Sequence, residues 1–191
     1  MGFMGSKKYW INRYEMGGNS GRGSFGREAE FKAGIINNFI KEENIKDVID
    51  YGCGNGDQLR LIKCPKYLGY EIAYMALLKC RDFFRNDNTK TFKIMEDYVG
   101  ETAELTLSLD VIYHLIEDEI FEFYMKRLFN SSTRFVIIYS TNMDRQKWIQ
   151  APHIRHRKFA LWIDKYMSNW KLNKSFANFY IYQKMQSNWE V

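Results

Sequence analysis

At 191 residues, with 46% hydrophobic and 17% aromatic side chains, the chain can bury one substantial core and is too apolar to stay disordered. Twenty-eight Lys and Arg against twenty-three Asp and Glu leave a formal charge of +5, a mild excess that excludes a histone-like packing protein. Three cysteines without CxxC spacing supply no disulfide framework, and neither a signal peptide nor a run of roughly 20 apolar residues is seen. A reduced, cytoplasmic protein that does not span a membrane is therefore expected.

In chain order, GGNSGRGSFG over 17–26 comes first, and its GRGSFG part matches the spacing G-x-G-x-x-G. No strand precedes it, no kinase motif follows it, and Ser24 stands where a phosphate-binding loop needs lysine. Residues 1–26 are read as a glycine-rich lid or a disordered leader, and 27–191 as a single domain. REAEFKAGIINNFIKEEN carries Phe31, Ile35, Ile36, Phe39 and Ile40 at helical spacing, which predicts an amphipathic helix. KDVIDYG reads as a buried strand and DQLRLIK as helix-like. KYLGYEIA, TFKIMED and ELTLSLDVIY read as strands, with a helix at YMALLKCRDFFR between the first two. EDEIFEFYMKRLF predicts a helix facing inward through Ile120, Phe121, Tyr124 and Leu128. RFVIIYSTN is a strand dense in β-branched and aromatic residues, HRKFALWIDKYM a helix, and WKLNKSFANFYIYQK an antiparallel hairpin. Strands alternating with helices imply an α/β three-layer sandwich.

In such a sheet the first strand-to-helix turn meets a ligand. Here it is DYGCGNG, with Asp50, Gly52, Cys53, Gly54, Asn55 and Gly56. Glu71, fifteen residues past Gly56 at the end of the second strand, is a carboxylate placed to accept hydrogen bonds from a ribose diol. DYGCGNG, Glu71 in YLGYEIA, Asp97 in KIMEDY and LSLDVIYHL, in that order over about residues 47–142, resemble class I S-adenosylmethionine-dependent methyltransferases. The resemblance implies a mostly parallel seven-stranded sheet with its last strand antiparallel, and S-adenosylmethionine as cofactor. Asp50 and the glycine turn would hold the methionine part, Glu71 the ribose, and Ile72 would lie on the adenine. Asp97 and Tyr98 would meet the adenine edge, and Leu109 and Asp110 would wall the methionine side. Glu71 departs from the family's more usual Asp. Trp10, Arg13 and Tyr14 are expected to close over the cofactor, with Asn19, Ser20 and Ser24 facing the acceptor.

Candidate bases are the three histidines: His114 after the fourth strand, which could equally pack as a helix cap, and His153 and His156 in APHIRHRKF. Pro152 suits a first helical position. That would set Arg155 and Arg157 at a helix amino end, ready for an anionic substrate. No third or fourth ligand spacing accompanies His153 and His156, so no metal is expected. The amino-methylase N/D-P-P-Y/F motif, the cytosine Pro-Cys nucleophile and the ribose 2′-O tetrad are all absent. An oxygen of a small, anionic or glycan-linked acceptor is expected. RYEMGGNSGRGSFG with HIRHRKF and FANFYIYQK also resembles a bacterial subgroup found beside surface-polysaccharide genes, including capsule clusters that make O-methyl phosphoramidate. Two rivals stay open: an RNA-directed protein using the eight Lys and Arg between Arg145 and Lys174, and a cofactor-binding subunit without turnover. The sequence assigns no oligomeric state.

Overall fold

The computed structural model describes residues 3–146 and 148–186. Residues 1 and 2 of the expected leader and Lys147 of the basic stretch lie outside them. Seven strands form one sheet: β1 (Asp47–Tyr51), β2 (Lys66–Glu71), β3 (Lys90–Ile94), β4 (Ala103–Leu109), β5 (Ser132–Tyr139), β6 (Trp170–Phe176) and β7 (Phe179–Lys184). Their order is β3-β2-β1-β4-β5-β7-β6, parallel throughout except that β7 runs antiparallel between β5 and β6. This is the sheet that the sequence leads one to expect, and it brings the carboxyl ends of β1, β2 and β4 together at one edge.

Helices α1 (Ser6–Glu15), α2 (Gly26–Glu42), α3 (Tyr74–Phe83), α4 (Asp118–Asn130) and α5 (Phe159–Tyr166) accompany the sheet. β5 shows why three layers form. Phe135 and Ile137 enter the core shared with α2, while Val136 and Ile138 enter the core shared with α4 and α5. A strand covered on both faces reads as a continuous apolar run. The β6–β7 hairpin turns at Ala177 and Asn178, both at positive φ (45° and 68°), which matches the twist of the strands it joins.

Two expectations are corrected. DQLRLIK forms only a 3₁₀ turn at Leu59–Leu61. Pro65 follows closely and disfavours helix at Cys64, so too few residues remain to offset helix nucleation. Pro152 lies in a turn, and the helix begins seven residues later at Phe159. The expected helix amino end around Arg155 therefore does not exist. Residues 6–15, within the stretch read as a lid or a disordered leader, form helix α1. On α2 the buried stripe is Ala29, Lys32, Ala33, Ile36, Phe39 and Ile40, which leaves Phe31 46% exposed beside Phe179.

Candidate active site

The strand ends open into a cavity of about 380 Å³, within the range of small-molecule sites. Strand-end chemistry shapes its floor. Gly52 and Gly54 adopt φ of 87° and 58°. A Cβ on Gly54 would sit 2.2 Å from Ser20 Oγ, and one on Gly52 would sit 2.6 Å from a Val111 methyl. Only glycine admits that approach with that backbone. Glu71, 6% exposed, accepts N–H bonds from Gly54 (3.0 Å), Ile72 (2.7 Å) and Ala73 (3.0 Å). Burial pushes its pKa up while the three N–H donors pull it down. Three donors leave one of about four carboxylate acceptor positions open.

Asp50 is 3% exposed; Oδ2 accepts the Tyr67 hydroxyl at 2.7 Å, whereas Oδ1 has no partner among the described residues. Burial raises its pKa to about 7, helped by the charge of Glu71 and opposed by Tyr67 and Lys32. Gln58 repeats the pattern. Its Nε2 donates to the Ala29 carbonyl at 3.0 Å, and its Oε1 is buried without a partner among the described residues. Buried acceptors of this kind await a donor.

The roof comes from α1, whose Ser6, Lys7, Trp10 and Tyr14 share one face and line the cavity. It is fastened at several points. Ser6 donates through N (2.9 Å) and Oγ (2.6 Å) to the Glu117 carboxylate, which caps the helix from 111 residues away. Lys7 pairs with Glu96, and Trp10 meets His114 edge-on at 4.7 Å. Tyr14 shares a hydrogen bond with Ser20 (2.8 Å), whose Oγ accepts the Asn55 N–H at 3.3 Å. Thus the 17–26 stretch lies on the GCGNG turn.

Among the expected residues, Trp10, Tyr14, Ser20, Ser24, Asp50, Gly52, Cys53, Gly54, Glu71, Ile72, Leu109, Asp110 and His114 line this cavity. Arg13 does not; it lies over Trp10 and donates to the Asn19 carbonyl. Asn19 is exposed and its Oδ1 accepts the Gly21 N–H. At the end of β3 the wall carries Met95 and Glu96, while Asp97 and Tyr98 fall outside it. Tyr98 instead packs against Tyr70 and under the Arg127 guanidinium.

The histidines are divided. His114 gives Nδ1 to the His153 carbonyl at 3.0 Å, and burial lowers its pKa to about 4. A carbonyl only accepts, so Nδ1 carries the proton and Nε2 the lone pair. His153 stacks on Tyr9 at 4.2 Å, outside the cavity. His156 meets Thr141 Oγ1 at 2.6 Å and lines a second cavity of about 440 Å³ with Glu28, Asp110, Tyr113, Tyr139 and Asn178.

Arg155 and Arg157 correct the expected substrate contacts. Arg155 donates to the Ile116 carbonyl and pairs with Asp118, and Arg157 donates to the Leu115 and Ile116 carbonyls and also pairs with Asp118. Neither lines either of these two cavities; both brace the loop after β4. The sequence reading also missed Lys32, although a lysine on the apolar stripe of α2 signals a buried partner. That partner is Asp110, at φ 60°, whose Oδ1 accepts the Tyr113 hydroxyl at 2.9 Å. Asp110 lines both cavities and so stands between them. Among the described residues no His/Cys/Asp/Glu group is arranged to hold a metal, and no helix is long and apolar enough to cross a membrane.

No protein-family model matches the chain, and no curated protein matches it either. Solved structures do. An N-methyltransferase, NodS, from Bradyrhizobium japonicum WM9, in complex with S-adenosyl-L-homocysteine, is 9% identical over 95% of this chain and 100% of its own, at a TM-score of 0.70. CalS10, an S-adenosylmethionine-bound amino pentose methyltransferase from Micromonospora echinaspora, is 10% identical over 85% and 94% at 0.66. Magnesium protoporphyrin IX methyltransferase from Synechocystis PCC 6803, with bound S-adenosylmethionine, is 14% identical over 98% and 100% at 0.64. What these proteins share with the chain is the class I methyltransferase fold.

Proposed function

We propose that the chain is an S-adenosylmethionine-dependent methyltransferase acting on an oxygen of a small, sugar-linked acceptor in bacterial surface-polysaccharide synthesis. One observation carries the cofactor reading. Gly52, Cys53 and Gly54 of the GCGNG turn, Glu71 and Asp50, whose Oδ1 has no partner among the described residues, converge on a single cavity at the strand ends. Donors on the cofactor suit those acceptors: its ammonium faces Asp50 and a ribose hydroxyl faces Glu71. Ile72 and the Met95–Glu96 wall bound the adenine end, with Asp97 and Tyr98 just beyond, and Leu109 and Asp110 flank the methionine end. Cofactor, when bound, supplies a methyl group already activated on a sulfonium. The chain's own part is to place the acceptor oxygen and exclude water.

An anionic acceptor was the expectation from Arg155 and Arg157, and both guanidinium groups are engaged by Asp118 and by the Leu115 and Ile116 carbonyls. An uncharged sugar hydroxyl fits the second cavity better, with His156 the histidine on the acceptor side. His114, neutral at pH 7, is too weak a base to hold a proton there and serves as a wall. A second reading, an amine acceptor, is favoured by the carboxylates of Glu28 and Asp110 on that cavity. Two of the similar structures are an N-methyltransferase and an amino pentose methyltransferase.

S-adenosylmethionine and S-adenosylhomocysteine should each raise the melting temperature, and NADH and ATP should not. Glu71→Ala should abolish the shift. No shift at saturating cofactor would sink the reading. Methyl-labelled cofactor offered with phosphorylated, neutral and amino-sugar precursors then identifies the acceptor. His156→Ala should lower turnover roughly 100-fold, whereas His114→Ala should chiefly raise KM.

A further inference from the structure

The loop between β5 and α5 carries an apolar tip. Trp148 is 100% exposed and Ile149 89% exposed, with Met143 of the same loop also exposed. A single aliphatic residue on the surface is ordinary, but a bare tryptophan beside a bare isoleucine is contiguous apolar surface left to water. The base of the loop is tied down, so the tip is held out from the body. Gln146 donates to the His156 carbonyl at 2.7 Å, and its Oε1 accepts the His156 N–H at 3.0 Å. Gln150 donates to the Ile154 carbonyl at 2.6 Å and to Gln146 Oε1 at 2.7 Å. Trp148 lines neither of the two cavities, whereas Ile149 stands at the mouth of the second.

Charge around the tip has one prevailing sign. Residues 143–158 carry five Lys or Arg against one acid, Asp144. Asp118 pairs with both Arg155 and Arg157, and Asp144 faces Lys158 at 4.0 Å. Positive charge still predominates, and Arg145, three residues before Trp148, is exposed. Two apolar side chains offer roughly a few hundred Å², well short of the ~800 Å² per partner of a stable protein–protein interface. An indole and an aliphatic chain within a basic collar instead match the boundary of an anionic lipid layer. There the indole settles at headgroup depth and the cations meet negative surface potential.

We propose that the Trp148–Ile149 tip docks the chain on an anionic lipid surface and sets the second cavity against it, so that the sugar acceptor entering that cavity is one carried by a lipid. The lipid-borne acceptor rests on the reading of the second cavity as the acceptor side; the contact with lipid does not. Two inserted side chains make the attachment peripheral and reversible.

The test is co-sedimentation of the chain with vesicles of equal parts phosphatidylcholine and phosphatidylglycerol, and with vesicles of phosphatidylcholine alone. The wild-type chain should sediment with the mixed vesicles at low salt, bind the neutral ones far less, and be released as salt rises. A variant carrying Trp148→Ser and Ile149→Ser should keep the wild-type melting temperature and its rise with S-adenosylmethionine, yet bind the mixed vesicles about 10-fold or more weakly. Failure of the wild-type chain to bind mixed vesicles at low salt overturns the proposal. Equal binding by the variant overturns it too, because the contact then lies elsewhere. A wild-type chain that self-associates without binding vesicles, and is made monomeric by the two substitutions, overturns it in favour of an interface between copies. Vesicle binding through the tip in a chain whose melting temperature ignores S-adenosylmethionine overturns the methyltransferase reading and the lipid-borne acceptor with it, while the lipid contact stands.

Discussion

Asp50→Asn should stabilise the cofactor-free protein while removing most of its cofactor affinity. The carboxyl titrates near 7 in the fold and near 3.9 in an unfolded chain. Its folded pKa is raised, so the native state retains a proton that the unfolded state has lost. The stability this proton contributes is complete below about pH 4 and fades as pH rises through 7. About three pH units at about 1.4 kcal/mol each set a ceiling of about 4 kcal/mol. Asparagine is never charged and can keep the Tyr67 hydrogen bond, so it avoids that loss. The gap in melting temperature between variant and wild type should open from pH 4 to 7, reach roughly 5 °C or more, and stay constant above. Affinity runs the other way. Wild-type Asp50 must give up its proton to face an ammonium, so S-adenosylhomocysteine binding should strengthen with pH up to about 7 and release protons. The variant should show neither effect. Melting curves at pH 5 and 8, with and without S-adenosylhomocysteine, decide it. A variant that melts lower than wild type at pH 8 would contradict the assignment.

Removing residues 1–24 should cost activity far more than folding. Among the described residues, the two large cores contain none before Ala33. α1 contributes only Tyr14, packed with Ala73 and Ala76 and flanked by Trp10 and Ile11. The same segment supplies one whole side of the cavity and the contact between Ser20 and the GCGNG turn. The proposal that it serves as a lid predicts a fall in kcat/KM of roughly 100-fold or more, with a melting temperature within a few degrees. Glu117→Ala offers the gentler version. It removes the cap on Ser6, which is worth about 1 kcal/mol, and should raise KM for cofactor while leaving the sheet intact. Undiminished turnover in the truncated chain would show that the segment is not a lid.

Much of this was legible in the sequence because its cause was local. β-branched and aromatic runs marked the strands, and GCGNG followed by Glu71 marked the turn that meets the cavity. What escaped has its cause elsewhere in the chain. α1 lacks a local cap; its carboxylate arrives from Glu117. Pro152 fits a helix start and a turn equally well, and only the bracing of Arg155 and Arg157 against the Leu115 and Ile116 carbonyls chooses the turn. Glu96 and Asp97 are adjacent acids, and the 3₁₀ turn at Met95–Asp97 decides which one reaches the wall. Lys32 was visible as a lysine among Ala29, Ala33 and Ile36, but its meaning waited on Asp110.

The distance between Ser6 and its cap also has a meaning in time. On a ribosome adding about 5–20 residues per second, the first helix waits on the order of 5–20 seconds for residue 117 to be made. It waits longer still for that residue to clear the exit tunnel. During that interval Tyr14 can meet Ala73 and Ala76 as they are made, but Trp10 still lacks His114 and Ser6 still lacks Glu117. The cavity's fourth wall is thus made well before the residue that fastens it, and its cap becomes available while β5, β6 and β7 are still to come.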